Sequence, residues 1–488
     1  MRVLEIASEA TPFAKTGGLA DVAGALPAAL ARLGCDVTLV IPGHREALAR
    51  GLAIEPAGIG FDVPLGGRRV PARILRATVP GGHDALLIEN AEFFDRPALY
   101  GDYADDAARW MFFARAATEL AARLGAPYDI VHCHDWQAGL VPALLKILPP
   151  LVPAATRTVM TIHNMAYQGS FPASDMPLTG LDWRYFNWRQ MECHDRVNLL
   201  KTGLVFADLV TTVSPTYARE IQTAPGGCGL EGVLATRSGT VAGIVNGIDT
   251  TAWDPHRDRH LPRPYGPDDA LLGKQAARMA LFSRLGSAPP DGRPVVAFVG
   301  RLAGQKGVGL VIDLLHRLAG SGRARFVVLG TGDAHWEGEL QHAAEAYPGV
   351  IDVILGFDEG LAHLVQAAAD MLLVPSLYEP CGLTQLYAQR YGTLPVVRAT
   401  GGLVDTVVDV SPDTVRDGSA SGFVFPHVDA GELERALIRA LDAHADGDLW
   451  QGLVRQVMAL DWSWESSARE YLRLFERTLA QPPLPVES

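Results

Sequence analysis

Over 488 residues the chain carries 42 Lys and Arg against 55 Asp and Glu, a formal charge of -13, with 48% hydrophobic and 20% charged residues. That length exceeds one ordinary core and predicts two or three domains, while an acidic balance without a basic block argues against nucleic acid as the main partner. Cys35, Cys133, Cys193, Cys228 and Cys381 show no CxxC spacing and read as reduced thiols of a cytoplasmic protein, and the first residues enter strand-like sequence at once, leaving no room for a secretory leader.

The apolar run Val3–Ile6 reads as a first strand, and KTGGLADV, Lys15–Val22, follows it at the mouth of a helix-compatible segment running toward Gly34. A lysine beside Gly17 and Gly18 lets backbone N–H groups and an ammonium approach one anion closely, which suits a phosphate; a tight turn with a solvated lysine fits the same octapeptide. Pro27 falls inside the helical pattern and predicts a kink there, or a helix that starts near it. DVTLVIP, RVPARILRA and DALLIEN read as strands, Ala107–Leu124 as an alanine-rich helix, and YDIVHCHDW and RTVMTIHN as strands running to Trp136 and Asn164. Leu140–Ala155 is the most apolar stretch, but Lys146, Pro142, Pro149, Pro150 and Pro153 disqualify it as a membrane span, so no membrane partner is expected. Such β–α alternation predicts a parallel sheet covered by helices on both faces, with ligands collecting beyond the carboxyl ends of the strands.

Between about Asp249 and Gly292 prolines crowd a polar stretch, among them Pro255, Pro262, Pro264, Pro267, Pro289 and Pro290, and a connection between domains is expected there or just before it. From Pro294 the alternation resumes, with strands at PVVAFVGR, ARFVVLG, GVIDVILGF, MLLVPS and LPVVRA and helices between them. Two sheets in tandem divide the chain into residues 1–250 and 251–460, with a cleft between facing strand ends as the default site. The segment 461–488 opens with an amphipathic helix, WSWESSAREYLRLFERTL, that packs back on the first domain, and the tail QPPLPVES reads as frayed.

Three stretches carry chemistry. GRLAGQKG, Gly300–Gly307, puts Arg301 and Lys306 after a strand and at the mouth of a helix, a receptor for a diphosphate or else a loop with surface cations; Gln305 rules out a P-loop. SLYEPCGLTQLY, Ser376–Tyr387, places Glu379 and Gly382 likewise: the glycine admits an anion to a helix start, whereas the carboxylate suits sugar hydroxyls or simply the helix dipole, and Gly401 and Gly402 can pack near the same ligand. In HCHDW, His132 and His134 point to one side of a strand and Cys133 to the other, so the three cannot easily share an ion and no metal is expected. Asp135 and His163, at strand ends, are better placed to line a cleft, with His132 and His134 as structural histidines.

KTGGLADV, HCHDWQAGL, TIHNMAYQG, SPTYAREI, VNGID, GRLAGQKG, YEPCGLTQLYAQRYGTLPVVRATGGLVDTV and the DWSW ending occur together, in this order, along nearly the whole chain. The sequence resembles bacterial glycogen synthases and plant starch synthases, retaining glucosyltransferases whose glycosyltransferase B fold is α/β, two Rossmann-like parallel-sheet domains facing across a cleft. The resemblance implies transfer of glucose from ADP-glucose to the non-reducing end of glycogen or another α-1,4-glucan, without cofactor or metal. It implies that Lys15, with Gly17 and Gly18, and Arg301 and Lys306 act at the donor diphosphate, that Glu379 contacts the transferred glucose near its reacting carbon, and that Asp135 and His163 line the sugar site beside Asn164 and Asn246. Backbone N–H groups of Gly382, Leu383 and Thr384 would hold the leaving phosphate. Ala303, Leu377 and Phe357 stand where relatives often carry threonine, arginine and tyrosine, which leaves the base contacts open. The same fold also accommodates a UDP-glucose donor, a small acceptor, or a glucan binder without catalysis.

Overall fold

The computed structural model describes residues 1–79, 83–101, 103–125, 127–148, 152–288 and 291–485, so that Pro149, Pro150, Pro289 and Pro290 lie outside it. It comprises two compact units, Met1–Gly247 with Trp464–Ser488, and Ile248–Ser463.

In the first unit the strands are β1 (Arg2–Ile6), β2 (Asp36–Pro42), β3 (Ile54–Leu65), β4 (Arg68–Thr78), β5 (Asp84–Glu89), β6 (Ile130–His134), β7 (Arg157–Ile162), β8 (Ser170–Pro172), β9 (Glu192–Cys193), β10 (Arg196–Asn198), β11 (Leu209–Thr212) and β12 (Val241–Gly243). Nine of them form one sheet in the order β12-β11-β7-β6-β1-β2-β5-β4-β3, and β8, β10 and β9 form a small antiparallel sheet. From β12 to β5 every pairing is parallel, and each residue of β6, β7 and β11 is buried, as expected of strands covered on both faces. The sheet departs from the all-parallel expectation at its edge, where β3, β4 and β5 pair antiparallel. Strand β3 is hard to read in the sequence because Pro56, Gly58, Gly60 and Pro64 look like turns; an edge strand tolerates them, and its register shifts between Pro56 and Ile59.

Pro27 neither ends nor starts a helix: one helix, Gly18–Arg32, runs through it. Its Val22, Leu26, Ala29 and Leu30 share a buried cluster with Trp464, Ala468, Tyr471 and Phe475 of the C-terminal helix Trp464–Leu479, and burying that face outweighs one missing N–H donor. The tail is tied down rather than frayed as far as Leu484, whose N–H donates to Asp208 Oδ1 at 2.9 Å while Arg157 donates to the carbonyl of Gln481 at 2.8 Å.

The second unit holds β13 (Val295–Val299), β14 (Arg325–Gly330), β15 (Ile351–Leu355), β16 (Met371–Val374), β17 (Leu394–Arg398) and β18 (Phe423–Phe425), a parallel sheet in the order β15-β14-β13-β16-β17-β18. The proline-rich stretch before it is no bare linker. It contains the helix Ala270–Leu285, and Tyr265 and Lys274 are buried there, both donating to the carbonyl of Tyr391 at 3.0 and 3.1 Å. Among the described residues no helix is long and apolar enough to cross a membrane.

Phe475 is fully buried with its ring against Tyr471 and His132. Phe475→Ala is expected to destabilise the first unit by about 3 to 5 kcal/mol, read from its urea unfolding; a loss below about 1 kcal/mol would show that the C-terminal helix is not an integral part of that core.

Candidate active site

Because the strands of a parallel sheet all end on one edge, the neighbours β1, β6 and β7, and β12 beyond β11, release their chains along that edge, and Lys15, Asp135, His163, Asn164 and Asn246 all follow those ends. After β1, the buried Glu9 shapes the glycine loop. Its Oε2 accepts the Thr16 N–H at 2.5 Å, and the Thr16 hydroxyl donates to both carboxylate oxygens at 3.1 and 2.9 Å. Burial pushes Glu9 up to about 7, against the pull of these donors. Lys15 Nζ pairs with Asp21 Oδ1 at 2.7 Å in the first turn of the helix that Gly17 caps and Gly18 begins. Both side chains of that pair are partly exposed, so the ammonium is weakly held. Gly17 has an extended φ of -157° and open space for a Cβ, so the turn itself does not demand glycine there.

Asp135 leaves β6 at φ 55°, a left-handed conformation uncommon for a side chain that is not glycine and found preferentially at functional turns. The turn aims its Oδ1 at β7, where it accepts the His163 N–H at 2.7 Å. Burial pushes its carboxyl up to about 7, opposed by the N–H groups of His163 and Asn164. The Asn164 side chain accepts the Ala166 N–H at 3.0 Å. Asn246 is buried, and its Oδ1 has no hydrogen-bond partner among the described residues, a polar atom that a ligand can satisfy.

His132 and His134 do share one side of β6, and the group that joins them is Glu5 of β1, which lies in register with His132, not Cys133. His132 Nδ1 and His134 Nε2 each lie 2.8 Å from Glu5 Oε2. The three ligand atoms fall within 4.8 Å of one another, the spacing of a metal site, but a single carboxylate oxygen already bridges both rings. Neither Glu5 nor Glu9 stands out by motif. A glutamate inside the otherwise apolar run Val3–Ile6, a strand whose central residues are buried, is the one signal that could have pointed to Glu5, which sequence reasoning missed.

In the second unit β13 and β16 are neighbours and place Arg301, Lys306, Glu379 and Gly382 beyond adjacent strand ends. Gly307 has φ 71°, and a Cβ there would meet the carbonyl oxygen of Pro375 at 2.1 Å, so only glycine lets the Gly304–Lys306 turn close on the end of β16. Leu377 N–H to Gln305 O at 2.8 Å and Gln305 Nε2 to Tyr378 O at 3.2 Å stitch the two loops together. As a result Lys306 Nζ lies 2.6 Å from Glu379 Oε2, which also accepts the Ser376 hydroxyl at 2.8 Å. Glu379 is buried, whereas the Arg301 guanidinium is exposed and makes no hydrogen bond or ion pair among the described residues. Past Glu379 the chain turns at Gly382, φ 76°, into the short helix Thr384–Arg390, where Tyr387 N–H to Leu383 O at 3.0 Å opens the ladder downstream of Gly382, Leu383 and Thr384. Gly402 packs on the loop backbone itself, donating to Glu379 O at 3.0 Å; a Cβ there would meet Cys381 O at 2.2 Å.

The starch synthase catalytic domain model matches residues 2–236, and that of the glycosyl transferases group 1 matches residues 283–446. The chain is 45% identical to a glycogen synthase of Anaeromyxobacter sp. strain Fw109-5, over 99% of this chain and 100% of that one, and 42% identical to a glycogen synthase of Rhodopirellula baltica, over 98% of each. Among solved structures it is similar to the catalytic domain of starch synthase IV from Arabidopsis thaliana bound to ADP and acarbose, with a TM-score of 0.91, 36% identity and coverage of 98% and 99%.

A carboxyl held above its unfolded value binds a proton in the native state that the unfolded chain has released. Glu9 therefore contributes stability that is fully present below about pH 4 and lost as pH rises through about 7. Glu9→Gln is expected to gain on the parent chain by on the order of 2 kcal/mol in urea unfolding between pH 5 and pH 8. A difference that stays constant across that window would show that Glu9 is already ionised at pH 5.

Proposed function

Since the chain belongs to the family of bacterial glycogen synthases and starch synthases, hexosyltransferases of the glycosyltransferase B fold, we propose that it transfers glucose from ADP-glucose to the non-reducing end of an α-1,4-glucan such as glycogen, with retention of configuration and release of ADP. Breaking the bond between glucose and phosphate builds negative charge on the diphosphate and positive character on the sugar ring. The observation that carries this reading is the Lys306–Glu379 pair, with Ser376 on the same carboxylate oxygen and the uncommitted Arg301 on the same loop as Lys306. Arg301 and Lys306 act on the diphosphate, and the N–H groups of Gly382, Leu383 and Thr384 hold its terminal phosphate. Glu379, a buried carboxylate side chain held by Lys306 and Ser376, faces the glucose near its reacting carbon and opposes the developing positive charge.

On the other sheet Asp135 and His163 line the sugar, Asn164 and Asn246 supply amide partners, and Lys15 with Gly17 and Gly18 approaches the donor diphosphate. Asn246 Oδ1, buried and unsatisfied among the described residues, supports a ligand at that edge. Fixed cations take the role a divalent ion plays in other phosphate enzymes, so the reaction requires no metal or other cofactor. Such an enzyme works in the cytoplasm and needs neither nucleic acid nor a membrane as partner.

A coupled assay for nucleoside diphosphate release, with ADP-glucose or UDP-glucose and with or without glycogen, tests the reading. Release is expected from ADP-glucose in the presence of glycogen; equal or faster release from UDP-glucose would overturn the donor, and glycogen-independent release the acceptor. Lys306→Ala is expected to lower kcat by roughly 100-fold, about 3 kcal/mol at the transition state, and an unchanged kcat removes Lys306 from the scheme. Activity is expected to survive exhaustive chelation; loss that magnesium or manganese restores contradicts the metal-free reaction.

A further inference from the structure

Glu5, His132 and His134 form a buried polar cluster that the reaction scheme leaves without a role, and its far end touches His163. We propose that Glu5 and His134 are positioning residues that fix the proton of His163 on Nε2 and hold its ring, leaving Nδ1 bare to accept a hydrogen bond from a sugar hydroxyl. The proposal rests on the reading of His163 as a residue that lines the sugar.

The hydrogen-bond chain has one consistent direction. His134 Nε2 lies 2.8 Å from Glu5 Oε2, and His134 Nδ1 lies 3.0 Å from His163 Nε2. Burial alone would raise Glu5, but His132 and then His134 outweigh it and hold the carboxyl down to about 2, so it only accepts. The His134 nitrogen that faces it therefore carries a proton. Burial, followed by the charge of His132, pushes His134 down to about 4, so its other nitrogen is a bare acceptor at neutral pH. His163, pushed well below its ordinary value by burial and then by its two histidine neighbours, is neutral, and its single proton must sit on the nitrogen that faces His134. Its Nδ1 makes no hydrogen bond among the described residues, and the ring is only partly covered. Reversing the chain would set two lone pairs against each other at Glu5, in a buried site where solvent cannot relieve them.

The relay is anchored at both ends. Asp135 holds the His163 backbone N–H at 2.7 Å. At the other end His132 contacts the same Glu5 oxygen at 2.8 Å, bonds Thr161 Oγ1 at 2.6 Å, and packs its ring tilted against Tyr471 and edge-on to Phe475 of the C-terminal helix. Glu5, His132 and His134 are all buried, so the relay meets solvent only through His163.

Two measurements test it. Long-range proton–nitrogen NMR of the histidine-labelled, unsubstituted chain is expected to show His163 protonated on Nε2 and bare on Nδ1; the opposite tautomer, or a doubly protonated ring at neutral pH, overturns the proposal. In a double-mutant cycle, His134→Leu is expected to lower kcat roughly tenfold or more with the glucan KM little changed, and to cause no further loss in a His163→Ala background. His134→Asn, whose side-chain oxygen can replace Nδ1 as the acceptor, is expected to recover most of that activity. A loss that adds to that of His163→Ala, or full activity in His134→Leu beside an impaired His163→Ala, overturns the relay. A fully active His163→Ala instead overturns the assignment of His163 to the sugar, whatever its tautomer.

Discussion

Parallel strands buried on both faces leave polar chemistry that meets a ligand only one kind of place to go, the strand ends, and the placement of the candidate site residues follows from that constraint. Along β6, β7 and β11 each residue is buried, and a side chain there that carries charge or a proton must find its partner on the next strand. At the carboxyl edge the chain leaves the sheet and the same side chains can turn toward a ligand. Asp135 and His163 sit at that boundary, as do Arg301, Lys306 and Glu379 in the second unit.

Buried acids at the amino edges of the two sheets and at the carboxyl edge of the first are treated in opposite ways. At the amino edge Asp208, just before β11, accepts the Thr158 N–H that starts β7 at 2.8 Å and pairs with Lys146 at 2.7 Å. Asp370, just before β16, does the same for Val295 of β13 at 2.8 Å and is flanked by Arg278 and His444. Burial would raise both carboxyls, but neighbouring cations outweigh it and both are lowered, Asp370 to about 2. These are structural acids, complete within the fold. At the carboxyl edge Glu9 and Asp135 are bonded mainly to N–H and O–H donors with no cation close enough to outweigh burial, and both are pushed up to about 7. Glu379 stands between the two classes, since its Lys306 partner is itself a group that a diphosphate can recruit.

Glycine does two different jobs in these loops. Gly307 and Gly402 are required by the protein itself, because any Cβ would meet a backbone oxygen at 2.1 or 2.2 Å, and they draw the loops after β13, β16 and β17 into one constellation. Gly17 is required by nothing around it in the fold, since a Cβ there would meet open space.

The strand and helix alternation, the tandem of two parallel sheets, the amphipathic C-terminal helix and the residues at the strand ends were all legible in the sequence, because periodicity and the glycine-marked loops are local properties of the chain. Sequence order alone could also place Lys306 and Glu379 after strands, 73 residues apart in the chain. Only the tertiary structure decided that β13 and β16 are neighbours, so that the two side chains meet, and that Glu5 of β1 reaches both histidines of β6. It likewise decided that a helix runs through Pro27 and that β3 to β5 fold back antiparallel. Strand neighbours, and the burial that overrides a local proline, depend on contacts between residues far apart in sequence, and no local pattern encodes them.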